Sequence, residues 1–207
     1  MAQLHQYRRE ARFTLECAEP AISLAQDQRF PVWRTVSAML HGWALVHQGQ
    51  AKEGMAQITQ GLMTYRTTGS EHARPYFFTL LAEAHQIQGE ATAGLTVLTE
   101  ALGLVDTTGE RWYEPELYRL KGALLLQQHG DHQAEAERCF HHALAIARHH
   151  QAKSFELRTA TSLAWLWQQQ GRRQEAYDLL APVYGWFTEG VDTADLQEAQ
   201  ALLDALA

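Results

Sequence analysis

The stretch Gly171-Arg172-Arg173-Gln174-Glu175-Ala176 decides how the chain folds. It reads as a Gly that ends one helix, a few polar residues, and a Glu-Ala pair that opens the next. Versions of it recur at Gly49-Gln50-Ala51-Lys52-Glu53-Gly54, at Gly89-Glu90-Ala91-Thr92-Ala93-Gly94 and, one residue longer, at Gly130-Asp131-His132-Gln133-Ala134-Glu135-Ala136. The glycines lie 40, 41 and 41 residues apart. A fixed period in this range is the mark of stacked supersecondary units. A second series supports it: Thr67-Thr68-Gly69 and Thr107-Thr108-Gly109 are 40 residues apart, each reading as a helix end with Gly in the left-handed cap.

Between these marks the apolar residues repeat with helical spacing. Residues 4–28 read as a helix and as a half-repeat without a first half, with Pro20 either kinking it or starting a new helix. Helix pairs then follow at 31–69, 72–109, 112–151 and 153–190, three of them with Pro31, Pro75 or Pro115 at or near their start. The third pair lacks a Gly at its end. His149-His150-Gln151 stands there, so its second helix is expected to run less sharply into the next, and this unit to depart most from the regular plan. Pro182 should bend or break the last second helix, with Gly190 ending it. A capping helix at 193–206 follows, with Asp192 or Thr193 as N-cap and Asp195 in its first turn. Small residues mark where paired helices cross: Gly42, Ala82, Gly122 and Ala164 on first helices, Gly54, Gly94, Ala136 and Ala176 on second helices. The reading is an all-α solenoid of about four antiparallel helix pairs in one repeat domain spanning 1–207. Helix pairs of this kind bury both faces only by stacking.

Composition bounds the function. Hydrophobic residues make up 46% of the 207 and charged residues 20%, which argues against disorder. A net charge of −7 gives the chain no general attraction to nucleic acid or anionic lipid. Cys17 and Cys139 lie too far apart, with no CxxC, to form a disulfide framework, so a reducing cytoplasm is expected. The N-terminus meets Arg8 and Arg9 before any apolar run, unlike a signal peptide, and no run approaches the roughly 18 apolar residues of a membrane span.

Three blocks carry a more specific likeness: Arg111-Trp112-Tyr113-Glu114-Pro115-Glu116-Leu117-Tyr118-Arg119-Leu120-Lys121-Gly122, Ala152-Lys153-Ser154-Phe155-Glu156-Leu157-Arg158, and Leu180-Ala181-Pro182-Val183-Tyr184-Gly185-Trp186-Phe187-Thr188-Glu189-Gly190. The small-and-large pattern resembles tetratricopeptide repeats (TPR), in the longer-helix variety of bacterial signal-transduction ATPases. The blocks resemble the C-terminal repeat region of large bacterial proteins that join a class III adenylate/guanylate cyclase domain to an AAA-like (STAND-type) ATPase and helical repeats. The resemblance implies a sensor or scaffold arm in signalling. It carries over no cyclase or nucleotide-binding residue, because those motifs are not in this sequence.

Catalytic motifs are missing. GxxxxGK[ST], GxGxxG, HExxH and GxSxG do not occur, so no enzyme activity and no cofactor is expected. His129, His132, His141, His142, His149 and His150 crowd one unit, but a metal site is not expected from them. They read as solvated residues of an outer helix, and Cys139 as a small core residue beside Phe140. First helices of stacked pairs line a concave surface that suits extended partners. Counting one residue after each crossing position, and three or six before it, gives Met39, Trp43, Tyr76, Glu83, Glu116, Arg119, Arg158 and Trp165. Aromatic anchors mixed with both charge signs are the makeup of a protein-binding surface. Glu116 and Arg119, three apart, can also simply pair with each other. A protein or peptide partner is expected there. A small molecule held between aromatic walls, and self-association through the apolar face of the N-terminal helix, are the other two classes of function.

Overall fold

The computed structural model describes residues 1–128 and 131–207. His129 and Gly130, the glycine of the third copy of the turn, lie outside the described residues. The described residues form eleven helices and fall into two compact units, Met1–Arg111 and Trp112–Ala207. The first unit holds α1 (Ala2–Tyr7), α2 (Ala11–Asp27), α3 (Pro31–His47), α4 (Ala51–Thr67), α5 (Arg74–Ile87) and α6 (Ala91–Thr108). The second holds α7 (Glu114–Gln127), α8 (Gln133–His149), α9 (Lys153–Gln169), α10 (Arg173–Tyr184) and α11 (Ala194–Leu206).

Two series of left-handed residues punctuate the helices. Arg9, Gly49, Gly89 and Gly171 turn a first helix into a second, with φ between 61° and 85°. Arg29, Gly69, Gly109, Gln151 and Gly190 follow the second helices, with φ between 54° and 74°. At Gly49 the amide of the next residue, Gln50, reaches back to the Leu45 carbonyl at 2.9 Å. The same closure joins Glu90 to His85 (2.9 Å) and Arg172 to Trp167 (2.8 Å), the bond that satisfies otherwise orphaned helix-end carbonyls.

Three expectations are corrected by this geometry. The helix read over 4–28 is two helices, because Arg9 takes the left-handed turn and breaks it; α2 then continues through Pro20. The third pair ends as sharply as the others. Gln151 adopts φ 54° in place of Gly, and the Ala152 amide closes on the Ala147 carbonyl at 2.8 Å. The last second helix stops at Tyr184, six residues short of Gly190, two residues after Pro182 has removed a backbone donor. Thr193 is the N-cap residue of α11, but its hydroxyl donates back to the Gly190 carbonyl (2.7 Å) instead of capping the helix.

Pairs cross where small residues permit. A Cβ on Gly42 would lie 2.7 Å from the Gly54 carbonyl oxygen, and a Cβ on Gly54 would collide with the Gly42 carbonyl. Gly122 instead receives the ring of Phe140, whose Cε1 would sit 2.6 Å from an added Cβ. Within the first unit α3 packs on α1, α2, α4 and α5, whereas the backbone of α4 stays clear of those of α2 and α6. The second unit repeats this: α9 packs on α7, α8, α10 and α11, and the backbones of α8 and α10 stay apart. First helices are therefore enclosed by their neighbours. Ten of the seventeen residues of α3 are buried, against five of seventeen in α4, so α3 forms the centre of its unit.

Candidate functional site

That enclosure decides the fate of the groove residues expected in the first unit. Met39 and Tyr76 are fully buried and Trp43 is 1% exposed. The Trp43 indole donates to a Glu83 carboxylate oxygen at 2.7 Å, and His47 lies over the Trp43 ring and 3.5 Å from the other Glu83 oxygen. Trp43 and Glu83 occupy the same register in successive pairs, 40 residues apart, so this contact joins one repeat to the next. The Tyr76 hydroxyl donates to Gln6 at 2.8 Å, and the Tyr7 ring meets the Tyr76 ring edge-on at 5.5 Å. Burial raises the Tyr7 pKa to about 12, with the Gln3 amide opposing the rise. The inner face of the first unit is thus closed by its own side chains, with α1 over Tyr76.

The second unit leaves its inner face partly open. Arg119 on α7 grips Glu116 with two bonds, at 2.8 and 2.9 Å, and reaches toward the Ser162 hydroxyl on α9 at 3.5 Å. Arg158 on α9 lies 3.7 Å from the same Glu116 and bonds Asp195 of α11 at 2.7 Å. This two-acid, two-cation chain ties three successive first-layer helices together, and all four side chains are largely shielded. Burial opposes the charge on Arg158, but Glu116 and Asp195 prevail and hold its pKa above the ordinary arginine value. Trp165, one turn beyond Ser162 on α9, is 42% exposed.

The structure therefore brings together Trp43 with Glu83, and Glu116 with Arg119 and Arg158, while Met39 and Tyr76 serve the interior. Sequence reasoning missed Gln6, His47, Ser162 and Asp195. A signal existed for Asp195: it lies 37 residues after Arg158, the interval that also separates Ala73 from Glu110, whose carboxylate receives the Ala73 amide at 2.9 Å. On α8, His141 lies 3.7 Å from Glu137 and the His142 ring stacks edge-on with Tyr118 at 4.3 Å. Among the described residues no three His, Cys, Asp or Glu side chains converge as a metal site. No described helix is long and apolar enough to cross a membrane. The arrangement offers hydrogen bonds, charge and an aromatic surface to a partner.

No protein-family model and no curated protein matches the chain. Solved structures do match. A kinesin light chain of Podosopora anserina with nearly identical TPR-like repeats superimposes with a TM-score of 0.57 at 18% identity, covering 99% of this chain and 92% of that one. A point variant of that protein gives a TM-score of 0.59 at 19% identity, over 89% of this chain and 90% of the other. The likeness establishes the fold as an all-α, TPR-like helical-repeat solenoid.

Proposed function

We propose that this chain is a non-enzymatic protein-interaction module. It takes an extended protein or peptide segment on the inner face of its second unit, along α7, α9 and α11. The TPR-like fold supports an interaction role in general. The observation that carries the specific reading is Trp165: a large aromatic left 42% exposed one turn from Ser162, which Arg119 approaches. Trp and Arg are among the residue types most enriched where a few side chains dominate binding energy at interfaces. Glu116 and Asp195 fix the arginines in place, which lowers the entropy lost when a partner binds.

The blocks around Arg111–Gly122 and Leu180–Gly190 support a finer placement. They favour a cytoplasmic repeat arm of a bacterial signalling system, partnered with STAND-type ATPase or cyclase modules and passing a binding event to them. A net charge of −7 supports a protein partner over nucleic acid.

The test is quantitative capture of partners from lysate by the immobilised chain, against the double variant Trp165→Ala with Arg119→Ala. Loss of a Trp hot spot weakens interfaces by about tenfold or more. The partner band is expected to fall by at least that factor while the circular dichroism spectrum is retained. An unchanged partner set would remove the second unit's inner face from consideration.

A further inference from the structure

We propose that the furrow between α2 and α4 is a second docking groove, and that its occupant is an acidic peptide segment in extended conformation. The furrow lies within the first unit and shares no residue with the inner face of the second.

Because the backbones of α2 and α4 stay apart, α3 is left as the floor of an open depression of about 520 Å³. Ile22 and Gln26 of α2 form one wall, Gln57 and Gln60 of α4 the other, and Arg34 and Ala38 the floor. A second depression of about 300 Å³ adjoins it, sharing Gln26 and Arg34 and lined also by Arg29 and Phe30. The larger volume lies within the range of roughly 300–1,000 Å³ that holds a ligand. The furrow runs open between two helices, a shape suited to an elongated chain. Small residues keep it clear: Ala38 and Ala56 line it, and Gly61 is Gly because a Cβ there would strike the Met39 side chain.

Charge selects the occupant. Several arginines of the first unit are neutralised: Arg8 bonds Glu10, Arg12 bonds Glu16 and Arg74 bonds Glu71. Arg29 and Arg34 are exposed and, among the described residues, have no ion pair or hydrogen bond through their side chains, in a chain of net charge −7. They stand together at the end of the furrow where α2 finishes and α3 begins, with Phe30 54% exposed between them. Asp27 is the acidic residue beside that end, and Glu53 lines the furrow at its far end, held by Gln57 at 3.3 Å. The furrow is therefore cationic at one end and anionic at the other. A segment with carboxylates over Arg29 and Arg34 and an aliphatic side chain over Ala38 matches it. The Gln26 amide, without a partner among the described residues, and Gln60, whose amide donates to Thr64 at 3.3 Å, can bond its backbone. Two arginines beside an apolar floor suit a peptide better than nucleic acid, whose binding needs many neutralised phosphates.

The test is fluorescence anisotropy on the full chain with a labelled Glu-Asp-Leu-Glu-Asp-Leu peptide, its Lys-Arg-Leu-Lys-Arg-Leu counterpart, and labelled oligouridylate. The acidic peptide is expected to bind at least tenfold tighter than either other probe. Arg34→Glu, which reverses the charge, and Ala56→Trp, which fills the furrow, should each weaken it at least tenfold. Trp165→Ala should leave it unchanged, which separates this groove from the inner face of the second unit. Both altered positions are exposed, and Gln60→Ala serves as a milder second probe of the wall, expected to weaken binding severalfold. The proposal is overturned if the acidic peptide does not bind, if Arg34→Glu and Ala56→Trp bind it as wild type does, if oligouridylate binds tighter, or if only Trp165→Ala abolishes binding.

Discussion

Gly42 and Gly103 sit in the middle of helices of the same unit, yet they answer to opposite constraints. A methyl group at Gly42 would press 2.7 Å from the Gly54 carbonyl oxygen, a backbone atom that cannot swing away. Gly42→Ala should therefore destabilise the chain by about 1–3 kcal/mol, the usual cost of overpacking. At Gly103 a Cβ meets nothing within 4 Å, and the residue is exposed on α6. Gly103→Ala should stabilise by about 0.5–1 kcal/mol, because Ala loses less backbone entropy in a helix. Urea denaturation of the two variants, with both midpoints moving the same way, would show that the crossing is looser than the geometry says. Spacing alone made Gly42 and Gly54 legible as a crossing. Gly122 was legible in the same way, and its crossing is filled by the Phe140 ring, four residues further along the facing helix than Ala136.

At the level of elements, the turns were legible where Gly marks them and illegible where another residue takes the same conformation. Arg9, Arg29 and Gln151 all adopt positive φ, and nothing in their side chains announces it. The strain is imposed by the helices on either side, which need the chain to reverse at that point. Left-handed φ costs an ordinary residue roughly 1–2 kcal/mol, part of which Gly returns through its freer unfolded state. Gln151→Gly should therefore raise stability by about 0.5–1 kcal/mol, a gain of a few degrees in melting temperature for a chain of this size. A lowered melting temperature would mean that the Gln151 side chain contributes more than its backbone costs. The same logic explains the candidate site. Helical periodicity tells which stripe of a helix is apolar. It does not tell that a first helix is covered from four sides, as α3 is, so Met39, Trp43 and Tyr76 could not be told from surface anchors. Trp165, at the corresponding position of α9, stays 42% exposed.

For the whole molecule, the acidic composition sets how stability responds to pH. Glu10, Glu137, Glu156 and Glu175 have their pKa held below the ordinary carboxylate value. At Glu10 the His5 bond is the main cause, with Arg8 assisting. At Glu137 and Glu156 burial pushes upward but is outweighed, by Trp167 and Arg172 in the first case and by Lys153 and Arg148 in the second. At Glu175 the cause is Arg172. Protons bind these groups more tightly in the unfolded chain than in the folded one. Their contribution is complete above the ordinary carboxylate pKa, about 4.3, and is lost as pH falls through it toward the lowered values. Tyr7 works at the other extreme. Its folded pKa of about 12 exceeds the ordinary value, so the folded state keeps a proton that the unfolded state gives up. That contribution is complete below about pH 10 and is lost as pH rises from there toward 12. Melting temperature measured from pH 3 to pH 11.5 should hold a plateau and fall at both ends. Glu156→Gln should make the acid limb shallower, since Glu156 joins Arg148 of α8 to Lys153 of α9. Tyr7→Phe should flatten the alkaline limb and leave the acid limb as it was. An alkaline limb equally steep in Tyr7→Phe would show that α1 does not shield its tyrosine against Tyr76, and that the inner face of the first unit is open in solution.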